Sequence, residues 1–159
     1  MAEFARILKP SGNLALLWNL EDRLVSLLIA HDTLIYSPSR DRAKWVAQLR
    51  DRIEQHEGGT PQFRLMLWRK VYETASYLKF FKEPVEKTWS VVFPATVDIA
   101  VNRACSKSYI AVLEEDEKSK VVNDVQEIVT RGEDRVWIDK GAGIFEYPYT
   151  TWLVLAHKA

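Results

Sequence analysis

A basic residue, a proline and a glycine stand together at Lys9-Pro10-Ser11-Gly12, and an apolar run, Leu14 to Trp18, follows at once. Upstream, Phe4, Ile7 and Leu8 share one face at helical spacing, with Glu3 and Arg6 outside it. Proline and glycine in that order are what end a helix. A short continuous apolar run between turn signals reads as a strand buried on both faces, the kind found in parallel sheets. Helix, tight turn and buried strand make half of a βαβ crossover. The expected fold class is therefore α/β, as one domain over residues 1–159, since roughly 100–200 residues make a domain. Met1 begins inside such a unit, so a partial domain is expected.

Charge removes two classes of function. Lys plus Arg total 22 and Asp plus Glu total 22, so nothing pulls the chain as a whole towards nucleic acid or an anionic membrane. No nucleic-acid and no membrane partner is expected. Leu24 to Ala30 is apolar, but a spanning helix needs about 20 residues. The start, Met-Ala-Glu-Phe, lacks the basic opening of a secretory signal. A single cysteine, Cys105, excludes an internal disulfide and a cysteine-built zinc site. His31, His56 and His157 share no ligand spacing, so no metal is expected. These features point to a cytoplasmic setting.

Further along, Trp45, Leu49 and Ile53 recur at four-residue steps from Arg40 to Glu57, with Arg42, Lys44, Arg50 and Arg52 on the polar side. Gly58-Gly59-Thr60-Pro61 breaks that helix. Leu67, Val71 and Ala75 mark a second helical stretch, continued by Tyr77 to Phe81. Lys87 to Phe93 alternates and reads as a strand closed by Pro94. Thr96 is the expected N-cap of a short helix to Ala104, with Val97, Ala100, Val101 and Ala104 on one face. Glu114 to Arg131 carries an acidic first turn, a stripe of Val121, Val122, Val125, Ile128 and Val129, and Gly132 as its stop. Arg135 to Ile138, a turn at Lys140 to Gly143, and Ile144 to Lys158 read as strands. Tyr147, Tyr149, Thr151, Leu153 and Leu155 lie on one side of the last of these, and Pro148 predicts an edge or a bulge there.

Chemistry is sparse. None of the six glycines stands after a strand and before a helix, and no serine sits on a strand-to-helix elbow. Two places carry candidate binding residues. Trp18 and Asn19 leave the carboxyl end of the first strand, where ligands of open α/β sheets sit; the other reading makes Trp18 core and Asn19 a turn former. Ser106-Lys107-Ser108-Tyr109 is a polar string between helices in which Lys107 can lower the pKa of a neighbouring hydroxyl. Its other reading has Ser106 and Ser108 capping or turning the chain while Tyr109 packs. The candidate substrate-binding residues are thus Trp18, Asn19, Ser106 and Tyr109. No catalytic residue is assigned.

Glu3 to Gly12 resembles the E-x-x-R-V-L-K-P-G-G segment of class I S-adenosylmethionine-dependent methyltransferases. In that family the segment is the helix after the fourth strand and the turn into the fifth, so Leu14 to Trp18 is similar to the fifth strand. Ser106 to Ile110, the helix after it, Val136 to Asp139 and the terminal strand resemble fungal members of the group. Ser11 departs from the pattern, standing where the family usually has glycine.

The resemblance implies a partial Rossmann-like methyltransferase sheet made of the C-terminal strands with flanking helices. The family's fifth strand pairs with the fourth and with the last, so an open edge on Leu14 to Trp18 is expected, with poor solubility or self-association. The family's cofactor is S-adenosylmethionine, held by a glycine-rich loop after the first strand, an acidic residue after the second and an acidic-polar segment near the fourth. None of these can be carried over to a residue here, so this chain alone is expected to bind no cofactor and to be inactive. Completed, it is expected to methylate a small-molecule substrate. The competing expectation is a non-enzymatic remnant that associates through its open sheet edge, and a third is an enzyme using Ser106 to Tyr109 without the cofactor. Residues 24–40 read as an insertion. Asp22-Arg23 is echoed by Asp41-Arg42, and Val25-Ser26 can be encoded by GTAAGT, a common intron start, so a retained short intron, or a gene model that reads through one, is expected.

Overall fold

The computed structural model describes residues 1–21, 25–30, 33–38 and 43–159. The fold is mixed α/β. Strands β1 (Asn13–Glu21), β4 (Val85–Ala95) and β6 (Ile144–His157) form a sheet in the order β1-β6-β4, with β5 (Trp137–Asp139) also paired to β6. This four-stranded sheet is antiparallel. Two further strands, β2 (Val25–Ala30) and β3 (Thr33–Pro38), pair antiparallel as a separate sheet in the register Val25↔Pro38 to Ala30↔Thr33. Part of the expected insertion is therefore a hairpin. Asp22-Arg23, Leu24, His31 and Arg40 to Arg42 lie outside the described residues.

The described residues fall into two compact units. The first comprises Met1–Leu20, Thr60–Val91 and Thr150–Ala159. Here α1 (Ala2–Ile7) ends as expected, and the Lys158 ammonium donates to the Ala5 and Leu8 carbonyls at 2.6 and 2.8 Å. Those are carbonyls that a helix end leaves without partners, and a cation suits that pole. In the turn that follows, Ser11 takes a left-handed backbone at φ 59°. The Gly12 N–H donates to the Lys9 carbonyl at 2.9 Å, and a Cβ at Gly12 would lie 2.9 Å from that same oxygen, so only glycine fits. β1 then begins where expected, but it is not buried on both faces. Its burial alternates, and Leu17 is 60% exposed. Antiparallel sheets commonly keep one face towards solvent, and the continuous apolar run concealed that alternation.

The stretch Leu67 to Ala75 is not one helix. Two 3-10 segments, Phe63–Leu65 and Leu67–Glu73, flank Met66 at φ 54°, and α3 (Ala75–Phe80) starts afresh. The Thr74 hydroxyl accepts from the Tyr77 N–H at 3.2 Å, so it caps α3 and fixes the break. Tyr77, Phe81, Ala5 and Ala156 form the core of this unit.

The second unit comprises Glu21–Gly59 and Val92–Tyr149. Its helices are α2 (Lys44–Glu54), α4 (Val97–Cys105), α5 (Ser108–Ala111) and α6 (Glu115–Arg131). Trp45, Leu49 and Ile53 of α2 are buried as their spacing predicts, as are Ala100 and Ala104 of α4 and Val121, Val125 and Val129 of α6. Thr96 caps α4, accepting from the Ile99 N–H at 3.3 Å, and Gly132 ends α6 at φ 56°. The trio Phe145, Tyr147 and Tyr149 completes this core against Trp45.

Three further expectations are corrected. Arg50 is not on the polar side of α2 but buried. Pro94 does not close β4, which continues to Ala95; the strand ends the sheet order, where a missing N–H is tolerated. Pro148 lies within β6, the strand that stands between β1 and β4 in the sheet order, which leaves the bulge as the reading of this proline. The face of β6 that is buried also changes. Phe145, Tyr147, Tyr149 and Thr151 are buried, then Trp152, Val154 and Ala156, while Leu153 and Leu155 are only half-buried.

Candidate functional site

Of the four candidate binding residues, Trp18 and Asn19 belong to the first unit, and Ser106 and Tyr109 to the second. Trp18 is half-buried in an aromatic group. Its ring lies 4.5 Å from Phe63 and 5.3 Å from Trp68, both stacked, and Trp152 meets Phe63 and Trp68 edge-on. The group is self-filling, with offset and edge-on contacts of the kind aromatic quadrupoles favour. Arg69 lies 5.5 and 5.6 Å from the centres of the Trp68 and Trp152 rings and pairs with Glu86 at 2.7 Å. Glu86 also accepts from the Trp152 indole at 3.0 Å. Asn19, on the opposite face of β1, accepts from the Thr151 hydroxyl at 2.7 Å.

Ser106 closes α4, and its hydroxyl donates to the Arg103 carbonyl at 2.8 Å. Lys107 is the N-cap residue of α5, which places Tyr109 in the core and turns the ammonium inward. There it meets a residue that sequence reasoning missed. Glu21, the last residue of β1, has a side chain only 1% exposed. Lys107 Nζ lies 2.7 Å from one carboxylate oxygen and 2.9 Å from the other. Arg50 donates to Glu21 at 2.9 Å and to Glu54 at 2.8 Å, and Arg103 Nε approaches Glu21 at 3.5 Å.

Three cations from three helical elements thus converge on one buried carboxylate. Burial alone would raise the Glu21 pKa, but Lys107, Arg50 and Arg103 together hold it below the usual carboxylate range. Burial lowers Lys107, with Arg50 and Arg103 acting in the same direction and Glu21 opposing them. Burial opposes the charge on Arg50, yet Glu21 and Glu54 raise its pKa above the ordinary value. Burial drives the Tyr109 phenol up to about 12, and the Tyr147 and Tyr149 phenols are raised for the same reason with Glu21 adding to it. The tyrosines are therefore neutral donors, and Glu21 is a fixed anion rather than a proton acceptor.

Sequence reading reached Lys107 and Tyr109 but not Glu21. Glu21 lies 29 residues from Arg50 and 86 from Lys107, and no local pattern links them. Among the described residues no group of three or more His, Cys, Asp or Glu is placed to hold a metal ion, and no helix is long and apolar enough to cross a membrane. No family model matches the chain, and no curated protein sequence is significantly similar to it.

Proposed function

We propose that this chain is the C-terminal, substrate-side portion of a class I S-adenosylmethionine-dependent small-molecule methyltransferase, inactive by itself. The observation that carries the reading is Ser11. The resemblance puts glycine at this position, and Ser11 adopts the left-handed backbone at φ 59° that glycine alone adopts without strain. A backbone of this kind is what the glycine of the resembled segment accommodates most easily, and this supports the reading. The pairing of β1 with β6 supports the same reading, because the family's fifth strand pairs with its last.

The residues present do not fit S-adenosylmethionine. Among the described residues, Gly58 and Gly59 follow α2, Gly132 ends α6, Gly141 and Gly143 lie in the turn before β6, and Gly12 precedes β1. None forms a strand-to-helix phosphate-type cradle. The carboxylate at the end of β1, Glu21, is committed to three cations and is not available to ribose hydroxyls. No step of methyl transfer is therefore derived from these side chains. Transfer of this kind relies mostly on alignment of donor and acceptor, and this chain contributes the acceptor's side.

Equilibrium dialysis of the chain against radiolabelled S-adenosylmethionine tests its incompetence alone. The expected result is no saturable binding and no methyl transfer; saturable binding overturns it. A second reading, self-association without catalysis, is favoured by one observation. β1 stands at the end of the strand order, is nine residues long without proline or lysine, and exposes Leu17. Such an edge is a template for another strand. Sedimentation that finds only monomer at high concentration excludes it.

A further inference from the structure

We propose that His56 is a proton-operated latch at the exit from α2: neutral, it is held by Arg52 of its own helix, and protonated, it ties the chain to Glu117 of α6. The latch stands apart from the methyltransferase reading. His56 follows the end of α2, and Gly58 and Gly59, in left-handed backbone at φ 56° and 77°, turn the chain directly after it. Its side chain is only 15% exposed, so its polar contacts meet limited competition from water. Arg52 Nη1 lies 2.7 Å from His56 Nε2. A guanidinium carries donors and no acceptor. The contact is therefore a hydrogen bond only while Nε2 keeps its lone pair, which puts the single ring proton on Nδ1.

Charged groups face this ring from both helices. Arg52 comes from α2, and its Nε donates to Asp124 of α6 at 2.7 Å. Glu117 of α6 brings Oε1 to 4.0 Å from the same His56 Nε2, and Lys120 Nζ lies 3.7 Å from Glu117. A proton added to Nε2 removes the lone pair that Arg52 uses and sets two like charges in contact. Glu117 is then the acceptor beside the new N–H. Arg52 is not stranded by the change, because its Nε keeps Asp124. Histidine changes charge between about pH 5 and 8, a range in which ordinary carboxylates stay ionised. One proton thus moves the tie of His56 from α2 to α6.

The test starts with ring-nitrogen NMR of the isotope-labelled 159-residue chain, the His56 signals being assigned by their loss in His56→Gln. At about pH 8 the expected result is a neutral ring with its proton on Nδ1. Urea denaturation of single and double variants then reads the change of partner at about pH 8 and about pH 5. At the higher pH, the double variant of His56→Gln and Arg52→Gln is expected to shift the midpoint by less than the sum of the single shifts. The shifts of His56→Gln and Glu117→Gln are expected to add. At the lower pH the two pairs exchange behaviour: the Glu117 pair falls short of the sum and the Arg52 pair does not. A neutral ring protonated on Nε2, or the same additivity at both pH values, overturns the proposal. The NMR result decides alone if a variant does not fold.

Discussion

Glu21 ends β1 with its carboxylate almost wholly out of water and three cations around it. Removing one partner of such a cluster leaves the others buried without compensation, which costs about 3–5 kcal/mol. Glu21→Gln is therefore expected to lower stability by that order, measured by urea denaturation. The acid limb follows from the sign of the shift. The folded-state pKa of Glu21 lies below its ordinary value of 4.5, so the contribution is complete above that value and is lost as the pH falls through the folded-state pKa. The wild type is expected to lose stability more steeply on acidification than Glu21→Gln; parallel acid limbs would contradict the assignment. The Tyr109 hydroxyl has no hydrogen-bond partner among the described residues, so the expected effect of Tyr109→Phe lies between no change and a gain of about 1 kcal/mol. Ser11→Gly relieves a left-handed residue and is expected to stabilise by about 1 kcal/mol. At this scale the sequence was only partly readable. Lys107 and Tyr109 stand out as part of a polar string between helices, whereas Arg50 looks solvent-facing because its partner is remote in the chain.

The elements that follow local rules were the legible ones. Thr96 and Gly132 are chemical signals of helix ends, and α4 and α6 start and stop beside them. Thr96→Ala is expected to cost about 1 kcal/mol, read as a shift in the denaturation midpoint at constant slope. Elements whose environment is set at long range were less legible. Leu14 to Trp18 is apolar throughout, yet its burial alternates, and only the packing on the sheet decides which face is exposed. Residues 152–156 of β6 carry apolar side chains on both faces, so alternation did not tell that Trp152, Val154 and Ala156 are buried in place of Leu153 and Leu155. The two 3-10 segments kept the apolar spacing of a helix, and a single threonine cap decided the break before α3.

For the whole molecule, a mixed fold could be foreseen from helix, turn and strand signals, while the site could not, because its residues come from β1, α2, α4 and the start of α5. The methyltransferase reading joins a sequence resemblance that spans most of the chain outside residues 24–40 to two backbone features, the left-handed Ser11 and the β1–β6 pairing. Both are needed, since an antiparallel pairing of first and last strands arises in many folds. If the hairpin Val25–Pro38 derives from a retained intron, its codons belong to no mature message. Sequencing the full-length transcript of the locus tests the account most directly. The account predicts a message that carries a glycine-rich strand-to-helix loop upstream, in frame, and lacks the codons for residues 24–40. A mature message encoding the 159 residues as they stand, with nothing joined upstream, would contradict it.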